Sequence, residues 1–419
     1  MARVLIAWEL GDAFGHLARC RQLAEGLCRR GYTVSMALKD VRLPQSKGCL
    51  QGFTVLPAPL TPQRRPDPQR RPVNYADVLR HSGFADAQDV SARLLAWQGI
   101  FSLARPEVLV ADHAPTALLA AQLAGIPHMA IGTGFAIPPD VRPWPSIRPW
   151  EAIDDAALVA AEHQLDQVTA AAQKTLGRSA LVRVRELFDT NDVLDTFAEL
   201  DHYGARSDGR YVGPIVSVPN ARRVSWQKHG GAKVLAYLRP EVPGFTAILS
   251  ALACLEAEVL GIAPGLAPGM ARRSATRRMR IALAPLDLPP LLAGADLAVG
   301  YGNGGFSTQA LLAGVPLLMR PRHVEQGLFA RRVEAMGAGA LLDARAHAQT
   351  VTTRIQAMLH SPDHRKAAQA FRDRHLQFST AQAIERTLAL IEQRIVDGRG
   401  TLMARHAQPP QEIPPVCLH

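Results

Sequence analysis

Aromatic residues are scarce in this 419-residue chain, at 5%, and they do not alternate with its basic residues. A nucleic-acid surface usually gathers positive charge on one stripe with aromatics between. Here the net charge of +10 is spread over separated arginine pairs, from Arg29-Arg30 to Arg331-Arg332. The expectation is a solvated, Arg-rich surface and no nucleic-acid partner. Cysteines are few and odd in number, five, with no CxxC spacing. That excludes a disulfide framework or a zinc site and leaves reduced, mostly buried thiols. Acidic residues show no ligand-like clustering, so no metal site is expected. Apolar runs stay well short of the roughly 18 residues a membrane span needs, so no stable membrane anchor is expected. The opening run RVLIAW is short and meets Glu9 and Asp12 where a leader would need small residues. It reads as a β-strand, with a cytoplasmic protein as the expectation.

Hydrophobic residues make up 47% of the chain, enough for two cores at this length. The residues at 3–10 read as a strand. A helix follows to Gly31, with Leu17, Cys20, Ala24, Leu27 and Cys28 on one face, and then the strand YTVSMAL. That is a βαβ unit, which implies a parallel sheet. Residues 56–72 are too rich in Pro and Arg for regular structure and read as a long loop. A strand ending at Asp112, a helix and a further strand to Gly134 complete an α/β first half. The Pro-rich segment 137–150 breaks the pattern, helices are expected over 151–200, and 210–219 reads as a connection. A second α/β run begins at KVLAYL. It continues through a helix predicted over 245–261, the strand MRIALAP, a short helix, the strand DLAVGYG and the strand VPLLMRP. Helices are expected near 326–337 and 362–395, with a frayed tail beyond.

The stretch YGNGGFSTQALLAGVP, 301–316, concentrates glycine between a strand and a short helix. Such a turn leaves the carboxyl edge of the sheet, where open α/β folds bind ligands. The first N–H groups of a helix lack internal partners and suit a phosphate. Gly302, Gly304 and Gly305 bring no Cβ atoms to hold it away, and Ser307 and Thr308 add hydroxyl donors. The same residues satisfy GxGxxG, with Glu325 about twenty residues on as in a dinucleotide fingerprint. That reading is set aside, because the helix is short and Glu325 lies past the end of the next strand. Glu325 and Gln326 open the following helix, either as charge at its N-terminus or as hydrogen-bonding partners of a polyhydroxyl ligand. In the first half, His16 stands where loop turns into helix. A neutral imidazole there suits proton abstraction near pH 7. Asp112 ends a strand at the same sheet edge, where a carboxylate would fix the tautomer. His113 and His128 read as ordinary packed or solvated histidines. Trp144 and Trp150 read as loop anchors or as flat walls for an acceptor. The Arg-rich loop 63–72 reads as solvated, or as facing an anionic acceptor.

YGNGGFSTQALLAGVPLLMRPRHVEQGLFARRV resembles the donor-binding signature of the UDP-glycosyltransferase-like superfamily, which has the GT-B architecture. ELGDAFGHLARCRQLAEGLCRRGYTV, VLVADHAPTALLAAQLAGIPHMAIGTG and RYVGP are similar to its first loop, its inter-strand Asp region and the start of its second domain. The likeness runs from about residue 3 to 340. It implies an α/β fold of two Rossmann-like domains facing across a cleft: an acceptor-side domain over 1–205, a nucleotide-sugar domain over 210–385, and a terminal helix end and tail over 386–419. It implies sugar transfer with inversion, by His16 as base and Asp112 as its partner, from a UDP- or dTDP-linked donor to a small hydroxylated acceptor. No metal or other cofactor is required. The family's diphosphate-binding His falls on Tyr301, its next glycine on Gly302 beside Asn303, and its Asn or Gly on Gly305 after Gly304. Its Ser/Thr positions fall on Phe306 and Ser307, its ribose-binding Glu on Gln309 and its sugar-binding acidic-Gln pair on Glu325 and Gln326. The base-stacking Trp of its PQ turn has no equivalent; Leu283, Ala284 and Pro285 stand there. Those departures keep open a non-catalytic nucleotide-sugar-binding protein. A nucleotide-sugar epimerase is the third alternative.

Overall fold

A computed structural model describes residues 2–11, 13–42, 52–60, 71–189, 191–216, 221–227 and 230–406. Asp12, Cys49, Cys417, most of the Arg-rich loop and the end of the tail lie outside the described residues. Two parallel sheets carry the fold. The first holds β1 (Arg3–Trp8), β2 (Thr33–Leu38), β3 (Thr54–Pro57), β4 (Val108–Asp112), β5 (His128–Gly132), β6 (Val193–Leu194) and β7 (Arg210–Tyr211). Their spatial order is β3-β2-β1-β4-β5-β6-β7. The second holds β8 (Lys233–Tyr237), β9 (Glu258–Ile262), β10 (Met279–Ala282), β11 (Leu297–Gly300), β12 (Leu317–Met319) and β13 (Gly339–Leu341), in the order β10-β9-β8-β11-β12-β13.

Both orders reverse direction after the first strand of the sheet, between β1 and β4 and between β8 and β11. At such a switch point the two neighbouring loops leave in opposite directions and open a crevice at the carboxyl ends of the strands. The strands there are continuous apolar runs, as a sheet covered on both faces requires. In β1 every residue after Arg3 is buried, and β4 is buried throughout. The glycine corner and Asp112 therefore both sit at switch points.

Several local expectations are corrected. The helix predicted over 245–261 ends at Ala253, and Glu258–Ile262 is strand β9. Leu249, Leu252, Leu255 and Val259 keep a helical spacing, which hides the break. Pairing of Glu258–Ile262 with β8 on one side and β10 on the other outweighs it. Of the helices expected over 151–200, one long helix forms, Asp155–Thr175, followed by single turns and β6. The connection at 210–219 begins with edge strand β7. Cys20 is buried, but Cys28 and Cys254 are exposed. The helix expected to end near 395 is two, Pro362–Arg374 and Thr380–His406. The second runs past 395 to His406. Its apolar positions Ala383, Leu388, Ile391 and Ile395 enter the same core as β1, β2 and the helix Ala13–Arg29. Arg30 pairs with Glu385 and Glu392, each at 2.5 Å, and Arg394 donates to the His128 carbonyl at 2.8 Å.

The last helix thus ties the end of the second half back onto the first sheet. Leu388 is fully buried, with its methyl groups against Gly26. Leu388→Ala is expected to lower stability by about 2–5 kcal/mol, the range for a buried leucine truncated without collapse of the site. Urea unfolding followed by tryptophan fluorescence checks it; an unchanged midpoint would show the helix to be peripheral.

Candidate active site

Strands β1 and β4 are neighbours in register, with Trp8 beside Asp112. The helix Ala13–Arg29 starts from the loop after β1, which brings His16 over the end of β4. His16 Nδ1 lies 2.7 Å from Asp112 Oδ1, and the imidazole stacks on the Trp8 ring at 5.5 Å. An ionised carboxylate only accepts, so Nδ1 carries the proton and Nε2 is left with the lone pair. That nitrogen faces Gly11, whose φ is +90°; a Cβ there would sit 2.2 Å from Nε2. Gly11 is needed for its backbone conformation and for the space it leaves beside the imidazole.

Asp112 is 1% exposed and has a second partner that the sequence reading missed. Arg19, one turn beyond His16, donates from Nε to Asp112 Oδ2 at 2.9 Å and from Nη2 to Oδ1 at 2.5 Å. Its Nη1 pairs with Asp195, which follows β6. Burial alone would raise the Asp112 carboxyl, but the charges of Arg19 and His16 outweigh it and hold the group well below the usual carboxylate range. The signal for Arg19 was present: an arginine between Leu17 and Cys20 on a helix face that is otherwise apolar. Asp195 gave none, because the strand before it has two residues.

Beside this network His113 is half-buried and packed, the first of its two expected readings. It holds a left-handed φ of 46°, its ring lies 6.3 Å from that of His16, and it stacks on Tyr75 at 6.2 Å. His113 Nε2 and the Tyr75 hydroxyl are buried without partners. They line a narrow pocket with Ala111, Leu118, Ile137 and Phe188. Burial, with the His16 charge adding to it, holds His113 down to about 3. His128 lies within β5, with Nδ1 3.0 Å from the Ile126 carbonyl. Trp144 is buried against Tyr75 and Phe188 with Arg185 over its face, an anchor for its own loop. Trp150 instead reaches the helix Val324–Ala335 of the second half, against Gly327 and under Arg331 at 4.5 Å.

At the second switch point the residues after β11 turn into the helix Gly304–Leu312. No side chain caps its first turn. A Cβ on Gly304 would meet nothing within 4 Å, so the space beside that turn is open. Gly302, at φ +78°, packs against the Gln326 carbonyl; a Cβ there would lie 2.9 Å from that oxygen. Ser307 Oγ and Asn303 Oδ1 are buried without partners, while Thr308 is buried and Phe306 packs on Tyr237. Gln309 Nε2 donates to its own helix at the Gly305 carbonyl, 3.1 Å. Tyr301 is buried, its hydroxyl accepting from the Arg239 N–H at 3.1 Å. Gln326 Oε1 accepts from the Arg322 N–H at 3.1 Å. Glu325 sits in the first turn of the next helix, where its charge adds to burial in raising the hydroxyls of Tyr75 and Tyr203.

No protein-family model matches the chain. A PGL/p-HBAD biosynthesis glycosyltransferase of Mycobacterium tuberculosis is 26% identical over 314 residues, covering 68% of this chain and 70% of the relative. Among solved structures, the glycotransferase of kitacinnamycin superposes with a TM-score of 0.70 at 17% identity, over 94% of this chain and all of the other. The spinosyn rhamnosyltransferase SpnG complexed with thymidine diphosphate gives 0.62 at 19% identity, over 92% of this chain and all of the other. The architecture is GT-B, the fold of those solved structures. Among the described residues no helix is long and apolar enough to cross a membrane.

Two measurements test this geometry. Gly11→Ala is expected to leave the fold intact and to lower turnover about a hundredfold, the low end of a general-base contribution, by displacing His16; an unaltered rate would show that the crowding at Nε2 relaxes freely. His113 is held neutral when folded but takes a proton near its ordinary 6.5 when unfolded. The stability tied to its neutral form is complete above that pH and falls away as pH drops towards 3, the loss being about 2 kcal/mol at pH 5. His113→Asn, which keeps a left-handed turn, is expected to flatten the fall in urea midpoint between pH 7 and 5. Parallel slopes would contradict the assignment.

Proposed function

We propose that the protein transfers a sugar from a nucleoside-diphosphate donor, UDP- or dTDP-linked, to a small hydroxylated acceptor with inversion at the anomeric carbon. The observation that carries this reading is the His16–Asp112 pair at one switch point, with an uncapped, glycine-opened helix at the other. The acceptor hydroxyl lies against His16 Nε2, beside the narrow pocket of Tyr75, His113 and Phe188. As its oxygen forms a bond to the anomeric carbon, the proton passes to Nε2 and the bond to the diphosphate breaks on the opposite face. Asp112 fixes the tautomer and stabilises the imidazolium. The negative charge that develops on the leaving diphosphate is received by the first N–H groups of the helix Gly304–Leu312 and by Ser307, preorganised donors in a partly dry site. Glu325 and Gln326 then take the sugar hydroxyls, a role supported by their place at the start of the helix Val324–Ala335. A thymidine diphosphate complex of SpnG, a protein of the same fold, is in keeping with a dTDP-linked donor.

The competing reading is a binding protein without turnover, favoured by the buried Tyr301 hydroxyl and by Gln309 bonding its own helix. It predicts nucleotide binding with neither transfer nor donor hydrolysis. His16→Ala separates the two. The variant is expected to fold and to bind UDP or dTDP as the wild type does, while transfer across a panel of phenols and alcohols falls by about 10²–10⁴-fold. An equal rate in variant and wild type would remove His16 from the mechanism.

A further inference from the structure

As the base of the proposed transfer, His16 has to gain a proton, yet a fixed positive charge stands beside it. Arg19 Nη2 lies 3.2 Å from His16 Nδ1, and both groups bond Asp112 Oδ1. A guanidinium is not deprotonated in proteins, and a cation at that range opposes a second one on the ring. Arg19 also takes up the charge of Asp112, so that these two residues sum to zero. Asp195 changes the sum. Its Oδ2 pairs with Arg19 Nη1, the guanidinium nitrogen that Asp112 does not use. The buried set of Asp112, Arg19 and Asp195 is then net negative while His16 is neutral, and balanced once His16 is protonated. Asp195 is buried, and its Oδ1 has no partner. An unpartnered buried oxygen costs the fold, and a buried ion pair is weak evidence of stabilisation, so stability alone does not account for the residue. Burial raises the Asp195 carboxyl, and the charges of Arg19 and His16 act against that rise. The attraction between Asp195 and a protonated His16 is mutual. The remaining titratable groups around His16 are His113, held neutral, the Cys20 thiol, 3.7 Å from Asp112 Oδ2, and Lys39, whose Nζ donates to the Gly11 carbonyl at 2.9 Å. None of them supplies negative charge.

We propose that Asp195 is a positioning residue of the active site, which acts through Arg19 to restore the negative charge that lets His16 take the acceptor's proton. Arg19 clamps both oxygens of Asp112, and Asp195 cancels the charge that this clamp brings. As the proton moves to Nε2, the network passes from net negative to balanced. Without Asp195 it would pass from balanced to positive, and an uncompensated buried charge is costly. The inference rests on the reading of His16 as the base.

The wild type, Asp195→Asn and the double variant Arg19→Gln with Asp195→Asn test it. Titration of the isotope-labelled His16 imidazole, followed by NMR and assigned with His16→Ala, reads the effect of charge without a substrate. Asp195→Asn is expected to lower the pH at which His16 titrates by about one unit or more, the size of a neighbouring-charge effect. The double variant removes the cation together with its counter-charge and is expected to return the titration to within about half a unit of wild type. A loss of packing would not be repaired by a second substitution. Melting curves confirm that each variant folds. The acid limb of the kcat/KM profile for transfer is expected to move down with the titration in Asp195→Asn. A folded Asp195→Asn that titrates with the wild type would overturn the proposal. So would a double variant that titrates as low as Asp195→Asn or, where that single variant does not fold, about one unit below wild type. A wild type whose acid limb lies apart from the His16 titration would instead overturn the reading of His16 as the base, and the role of Asp195 in transfer with it.

Discussion

A carboxylate buried as deeply as that of Asp112 is stable only if its charge is met on every side. His16 takes one oxygen, and Arg19 takes both. Arg19 is in turn buried and is matched by Asp195. The four side chains come from the first helix, the end of β4 and the residue after β6, so the network locks three elements at one edge of the sheet. Its chemical effect is directional. With Asp112 firmly ionised, the imidazole is held by Nδ1 and presents Nε2 beside Gly11. The stacked Trp8 ring removes the remaining freedom of the imidazole plane.

The sheets explain why two such sites meet. In a parallel sheet every strand delivers its following loop to the same edge, and the reversal of strand order leaves one crevice there. This chain builds that arrangement twice, with β1 and β4 in the first sheet and β8 and β11 in the second. The last helix, Thr380–His406, packs on the first sheet and returns the chain to its starting domain. Contacts such as Trp150 on Gly327, and Phe135 and Ile147 with Leu328, join the first half to the helix that carries Glu325.

Much of this was legible in residue order. Continuous apolar runs with glycine and proline punctuation marked β1, β4, β8 and β11, and the clustered glycines marked the corner, because backbone conformation at a tight turn is written locally. The His16–Asp112 pairing followed from two strand ends sharing an edge. What was hidden depends on partners far along the chain. Strand β9 kept a helical spacing and was decided by its neighbours in the sheet. Strands β6 and β7 have two residues each, too few for any periodicity. Arg19 carried a local cue, but its two aspartate partners lie far along the chain.

The central claim is that Asp112 acts on chemistry through the orientation and charge of His16. Asp112→Asn keeps the shape of the side chain and still leaves Arg19 its partner Asp195. With folding confirmed by circular dichroism, the account predicts nucleoside-diphosphate affinity equal to wild type and sugar transfer lower by about a hundredfold or more. Transfer within about twofold of wild type in the folded variant would contradict it.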